Sequence, residues 1–154
     1  MENVAAKGFT LLELTIAIAL LAVVSAAAWV GMGQSYRRDI QRTASILASD
    51  IRHAQQMAIQ KGTNTSVVFF GDSYIMFYYP RGMGSQALGD LVPLLNAEFA
   101  VAPQMIRFTP RGTTSTPTTI FLRNSRYAIT LTLTLGAGRV LVQDPLPITG
   151  LADF

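Results

Sequence analysis

Three hydrophobic patterns follow one another along the chain, and each predicts a different element. The first is an unbroken apolar run. Residues 9–30 read FTLLELTIAIALLAVVSAAAWV, 22 positions with one charge, Glu13, and no proline or glycine. As a helix such a run spans about 33 Å, enough to cross a bilayer core. The second pattern is a helical stripe. Gly31 and Gly33 stand where they could kink or loosen the helix. Beyond them Ile40, Ala44, Leu47, Ile51, Ala54 and Ala58 recur at steps of four and three, the spacing of one helix face. Asp39, Arg42, Ser49, Asp50, Arg52, Gln56 and Gln60 lie largely off that face. Gly62, after Lys61, is placed to cap the helix end. The stripe predicts packing on a sheet, with a coiled coil between subunits as the lesser alternative.

The third pattern has period two and begins after Gly62. Residues 65–70 and 73–79 read as strands joined by Gly71-Asp72, a hairpin. Residues 80–104, with three glycines and three prolines, read as a long loop of the kind used for function or subunit contact. Strands follow at 105–109, closed by Pro110-Arg111-Gly112, then at 118–123, 127–135 and 139–142. In the strand from Tyr127, Ile129, Leu131, Leu133 and Leu135 alternate with Thr130, Thr132 and Thr134, so one face is buried and the other polar. Residues 144–154 carry two prolines and read as a tail. The fold class is therefore α+β: a long N-terminal helix, half transmembrane and half amphipathic (31–62), packed on an antiparallel β-sheet domain (63–143).

Composition changes this picture only in places. The chain has 154 residues, of which 50% are hydrophobic and 14% charged, which excludes disorder and fits one domain. The absence of cysteine excludes a disulfide scaffold, a thiolate zinc site and a cysteine nucleophile. No nucleophile motif, metal-spaced cluster or phosphate loop is present: Gly82-Met83-Gly84 lacks a third glycine, and His53, the single histidine, has no companion. No cofactor, metal or catalytic residue is expected, and the chain does not read as an enzyme. The flanking charges of the apolar run, Lys7 before it and Arg37, Arg38 and Arg42 after it, leave its orientation open. A secretory signal with Ser25-Ala26-Ala27-Ala28 as its cleavage site and a plain signal anchor both fit the run. Neither accounts for a carboxylate five residues into it.

The segment Lys7-Gly8-Phe9-Thr10-Leu11-Leu12-Glu13 resembles the class III signal of type IV prepilins and pseudopilins. That resemblance implies a leader at 1–8, cut by a prepilin peptidase between Gly8 and Phe9, with N-methylation of Phe9. It implies an N-terminus-in anchor at 9–30 in the inner membrane and a periplasmic C-terminal domain. Glu13 would be the fifth mature residue, which in this family sets register by pairing with a neighbouring subunit's terminal amine. A charge pair at low dielectric can do this because either member alone is costly. The partners implied are the peptidase, the inner membrane and other pilin or pseudopilin subunits in a fibre.

Three further pieces are similar to GspH/FimT-type minor pilins: SDIRHAQQMAIQKG at 49–62, Ile106-Arg107-Phe108-Thr109-Pro110-Arg111-Gly112, and Gly138-Arg139-Val140. With the signal they cover most of 1–143, apart from the 80–104 loop. The function implied is a minor pseudopilin of a type II secretion system. The alternative is a FimT-like minor pilin of a type IV pilus, concerned with assembly or DNA uptake. For DNA the candidate contacts are Arg107, Arg111, Arg123, Arg126 and Arg139, five arginines within 33 residues of a chain of net charge +3. The FimT-type pattern carries a second arginine after Gly-Arg-Val, where this chain has Leu141, which weakens the nucleic-acid reading. A signal-anchored β protein unrelated to fibres is the third possibility.

Overall fold

The computed structural model describes residues 10–114, 117–134 and 138–148, with the side chains of 27–34 outside that description. One helix, α1, runs Leu11–Lys61, and the chain divides into two units, 1–35 and 36–154. Thr10 caps the start of α1: its Oγ1 accepts from Glu13 N at 3.3 Å and its carbonyl from Leu14 N at 3.2 Å. Gly31 and Gly33 do not interrupt the helix. A mid-helix glycine costs about 1 kcal/mol relative to alanine but removes no hydrogen bond.

In the first unit the described large apolar side chains are exposed. Leu11, Leu12, Leu14, Ile16, Ile18, Leu20, Leu21, Val23 and Val24 are 52–81% exposed. A helix apolar on every side is one that lipid or other helices must cover. Among the described residues no helix is long and apolar enough to cross a membrane. Of the expected 9–30 span, only 10–26 has described side chains, fewer than the ~20 residues a bilayer core requires.

The second unit has its own core. Ile40, Ala44, Leu47, Ile51, Ala54 and Ala58, the stripe expected from the sequence, are each at most 1% exposed, with Ala48 beside them. Their partners are the inner faces of two antiparallel sheets: Val67, Phe69, Tyr74, Ile106, Phe108, Ile120, Leu122, Ile129, Leu131, Leu133 and Val140. The helix therefore packs on sheet and not on a second helix. Four alanines on the stripe let the backbones approach closely.

The first sheet is built from β1 (Asn64–Phe69), β2 (Ser73–Tyr79), β3 (Gln86–Ala87), β4 (Val92–Pro93) and β6 (Met105–Phe108), in the order β3-β2-β1-β6 with β4 also on β2. The second contains β5 (Glu98–Val101), β7 (Thr118–Arg123), β8 (Tyr127–Leu133), β9 (Val140–Val142) and β10 (Leu146–Pro147), in the order β10-β8-β7-β5 with β9 also on β8. β7 and β8 pair from Thr118↔Leu133 to Arg123↔Ala128, which turns Ile120, Leu122, Ile129, Leu131 and Leu133 inward.

Two segments differ from the expectation. The 80–104 stretch is not a plain loop, because it holds β3, β4 and β5. It follows the edge of β2, where Leu88 N donates to Met76 O and Leu94 N to Asp72 O, then joins the second sheet. Thr43 Oγ1 donates to Leu95 O, and Phe99 packs edge-on against Phe69 at 5.2 Å. The 144–154 stretch is not wholly a tail, since Leu146 and Pro147 pair with Ala128 and Tyr127. Strands of two residues carry too little periodicity to be read from sequence.

Candidate functional site

Gly8 and Phe9, the residues expected at the cleavage and methylation point, lie outside the described residues. Glu13 is described. It occupies the first turn of α1, three residues after the capping Thr10 and exposed, where an acidic side chain meets the positive end of the helix dipole. No described residue pairs with its carboxylate. The hydroxyls that follow are satisfied inside the helix: Thr15 Oγ1 donates to Leu12 O at 2.8 Å and Ser25 Oγ to Leu21 O at 2.7 Å. Within 10–26, Glu13 is thus the polar group left to find a partner elsewhere.

The five candidate arginines are all exposed, yet they do not form one patch. Arg123 is committed to Glu98 at 2.6 Å. Arg126 lies over the Tyr36 ring at 5.2 Å, and Arg107 over the Tyr79 ring at 5.3 Å. The turn carrying Arg126 is fixed by Asn124, whose Oδ1 accepts from Arg126 N and Tyr127 N. Its Nδ2 donates to Tyr36 O at 2.8 Å. Tyr36 is thus engaged by the β7–β8 turn.

Arg111 and Arg139 belong at the other end of the same helix segment. Each adjoins a glycine that rests on Gln55. Gly112 has φ +74°, and a Cβ there would stand 2.6 Å from Ile59 Cδ1. Gly138 has φ +59°, and a Cβ there would stand 2.6 Å from Gln55 Nε2 and 3.4 Å from Gly112 O. Gln55 Nε2 donates to Gly112 O at 2.7 Å, and one turn earlier Arg52 Nη2 reaches Val140 O at 3.3 Å. The structure therefore brings the backbones of Arg111 and Arg139 together and adds Arg52. Nineteen helical residues separate Gln55 from Tyr36, about 28 Å of rise, so Arg123 and Arg126 stand apart. Arg52 and Gln55 were not singled out as contacts, and their one signal was membership of the 49–62 segment.

A pair between a half-buried acid and a buried phenol completes the helix–sheet contact. Tyr74 is 1% exposed and donates its hydroxyl to Asp50 Oδ2 at 2.5 Å. Burial first, then the bond and the negative charge of Asp50, push the phenol well above its ordinary range. Among the described residues no group of three or more His, Cys, Asp or Glu could hold a metal ion.

Comparison with known proteins follows this layout. The prokaryotic N-terminal methylation motif matches residues 4–29, which contain Gly8, Phe9 and Glu13. Curated protein sequences provide no significant match. Among solved structures, the type IV minor pilin FimU of Pseudomonas aeruginosa is similar in two crystal forms. One has a TM-score of 0.57 at 18% identity, covering 70% of this chain and 90% of FimU. The other has a TM-score of 0.54 at 18% identity, covering 67% and 91%. The shared feature is the fold, a helix packed on antiparallel sheet. The family model for type II transport protein GspH matches residues 43–138, well over half of the chain, from the buried helix face to the glycine seated on Gln55. By that match the chain belongs to the GspH family of pilin-like proteins.

Proposed function

We propose that this chain is a minor pseudopilin of a type II secretion system. A prepilin peptidase removes residues 1–8 and N-methylates Phe9. The 9–30 helix then holds the protein in the inner membrane, N-terminus in the cytoplasm, with the sheet domain in the periplasm. On assembly the same helix packs in the core of a pseudopilus, and Glu13 sets register against the terminal amine of a neighbour. The observation that carries this reading is the exposed apolar helix, 52–81% exposed at nine large side chains, inside the segment that the methylation motif matches. The second unit already has a closed core, so the helix is left for lipid first and other subunits later.

The likeness to FimU, described as a type IV minor pilin, favours a second reading, a minor pilin of a type IV pilus. Disrupting the gene in its own host separates the two. Loss of secreted proteins with normal surface pili supports the first reading, and the reverse supports the second. Processing is tested by co-expression with a prepilin peptidase and N-terminal mass analysis. The wild type yields a chain starting at methylated Phe9, and Gly8→Val abolishes the cut. A Gly8→Val chain processed like wild type would refute both readings.

A further inference from the structure

The end of the second unit that follows the apolar run carries arginines on several sides of the helix, and neither processing nor register uses them. Tyr36 opens that unit, six residues after the run ends at Val30. Six residues reach at most about 20 Å however the chain bends. Tyr36 and its neighbours therefore stay close to whatever surface the run enters.

Successive helical residues turn by about 100°, so Arg37, Arg38 and Arg42 lie about 100°, 200° and 240° round from Tyr36, within about 9 Å of rise. All three are exposed. Among the described residues neither Arg37 nor Arg42 meets a carboxylate, and Asp39 is the one acid within 35–49. The Tyr36 side of the helix continues into Ile40, Ala44 and Leu47, which are buried under the sheets. A cation can reach that side only from the sheets, and the fold supplies one. Arg126, in the β7–β8 turn, lies over the Tyr36 ring at 5.2 Å and stays exposed. Asn124 fixes it there by accepting from Arg126 N at 2.9 Å and donating to Tyr36 O at 2.8 Å.

Two arguments identify a lipid surface as the partner. A protein docks on one side of a helix, whereas cations spread round the helix at one level are met together by a layer that the chain passes through. In the orientation proposed above, these arginines also stand on the translocated side, where basic residues beside a span oppose insertion. Their use there is something other than topology, and anionic headgroups attract basic groups close to a membrane. Tyrosine suits the same depth, with an apolar ring and a polar tip. We propose that Arg37, Arg42 and Arg126, with Arg38 between them, bind the headgroup phosphates of anionic phospholipids where the chain leaves the bilayer. This rests on the reading of 9–30 as a membrane helix. Arg126 then holds the β7–β8 turn of the sheet domain at the lipid surface.

The test places the full chain in nanodiscs of phosphatidylcholine, with or without phosphatidylglycerol, and traces of a lipid bearing a nitroxide on its headgroup. At low salt the amide NMR signals of Arg37, Asn124 and Arg126 should be broadened several-fold more in the anionic discs, and high salt should remove the difference. Gly112 and Gly138, at the Gln55 end, should not be broadened in either. The triple variant Arg37→Gln/Arg42→Gln/Arg126→Gln should abolish the difference, the matching triple lysine variant should keep it, and Arg139→Gln should leave it unchanged. Free glycerol phosphate at the lipid's concentration should not reduce it, and a full loss there would mark a free-anion site and overturn the proposal. Equal broadening in both kinds of disc, or an unchanged difference in the glutamine variant, would overturn it while leaving the membrane helix standing. A chain that enters neither kind of disc would overturn the membrane reading and the proposal with it.

Discussion

At the scale of single residues, Glu13 combines two physical roles. The sequence marks it as an odd charge in an apolar run. In the structure Thr10-Leu11-Leu12-Glu13 is also a capping pattern, with Thr10 receiving the amide of Glu13. An acid at this position is locally favourable, so the carboxylate can wait at the helix start for a distant partner. Asp50 and Tyr74 were not legible as a pair. Asp50 read as an off-stripe polar residue and Tyr74 as one strand position among several, and only the packing of β2 on α1 joins them. Replacing Tyr74 by Phe leaves the Asp50 carboxylate without that donor and should cost about 1–3 kcal/mol at neutral pH. The pH dependence has a definite sign. The unfolded phenol ionises near 10, while the folded one is held above that value. The stabilisation is therefore complete below pH 10 and declines as pH rises beyond it, by at most about 1.4 kcal/mol per pH unit. Urea unfolding followed by circular dichroism at pH 8 to 11 should show this alkaline loss in the wild type and its absence in Tyr74→Phe.

At the scale of elements, legibility follows length. The buried stripe of α1, its glycine cap and the long strands β2, β7 and β8 were readable because each repeats its period several times. The 80–104 strands and β10 were not, because their place is set by an edge that another strand leaves open. The contact between α1 and the last hairpin lay between these cases. The sequence offered Gly112 and Gly138 within two separate motif pieces, without any sign that both rest on Gln55. That convergence predicts a steep cost at Gly138. An alanine there must hold a left-handed φ and drive its Cβ into Gln55, which also breaks the bond to Gly112 O. Gly138→Ala should destabilise the protein by about 2–3 kcal/mol, from backbone strain together with the lost hydrogen bond. Gly84→Ala, with an ordinary φ and nothing within 4 Å of the new carbon, should stay within about 0.5 kcal/mol of wild type. Denaturation midpoints of the two variants decide this.

At the scale of the whole molecule, the 50% hydrophobic content resolves into two unlike uses. The first unit spends it on an exposed helix, and the second hides it between helix and sheets. The arginines behind the net charge of +3 likewise fall at more than one place. Arg123 is neutralised by Glu98, Arg126 packs on Tyr36 and Arg107 on Tyr79. Arg111 and Arg139 cluster through their backbones at Gln55, with Arg52 bonded to Val140 O one turn earlier. This layout sets the outcome of a DNA-binding experiment. A duplex backbone can engage that cluster but not all five candidate arginines at once. Each phosphate neutralised contributes about −0.9 to the slope of log affinity against log salt. A mobility-shift titration of the full chain in neutral detergent should therefore show weak association with a slope of about −2 to −3, and not the −4.5 that five contacts would produce. Arg111→Gln/Arg139→Gln should remove the association, whereas Arg123→Gln should not change it. A slope near −4.5, or equal losses at all five positions, would mean that the arginines act as a single surface and that the separation along the helix does not govern binding.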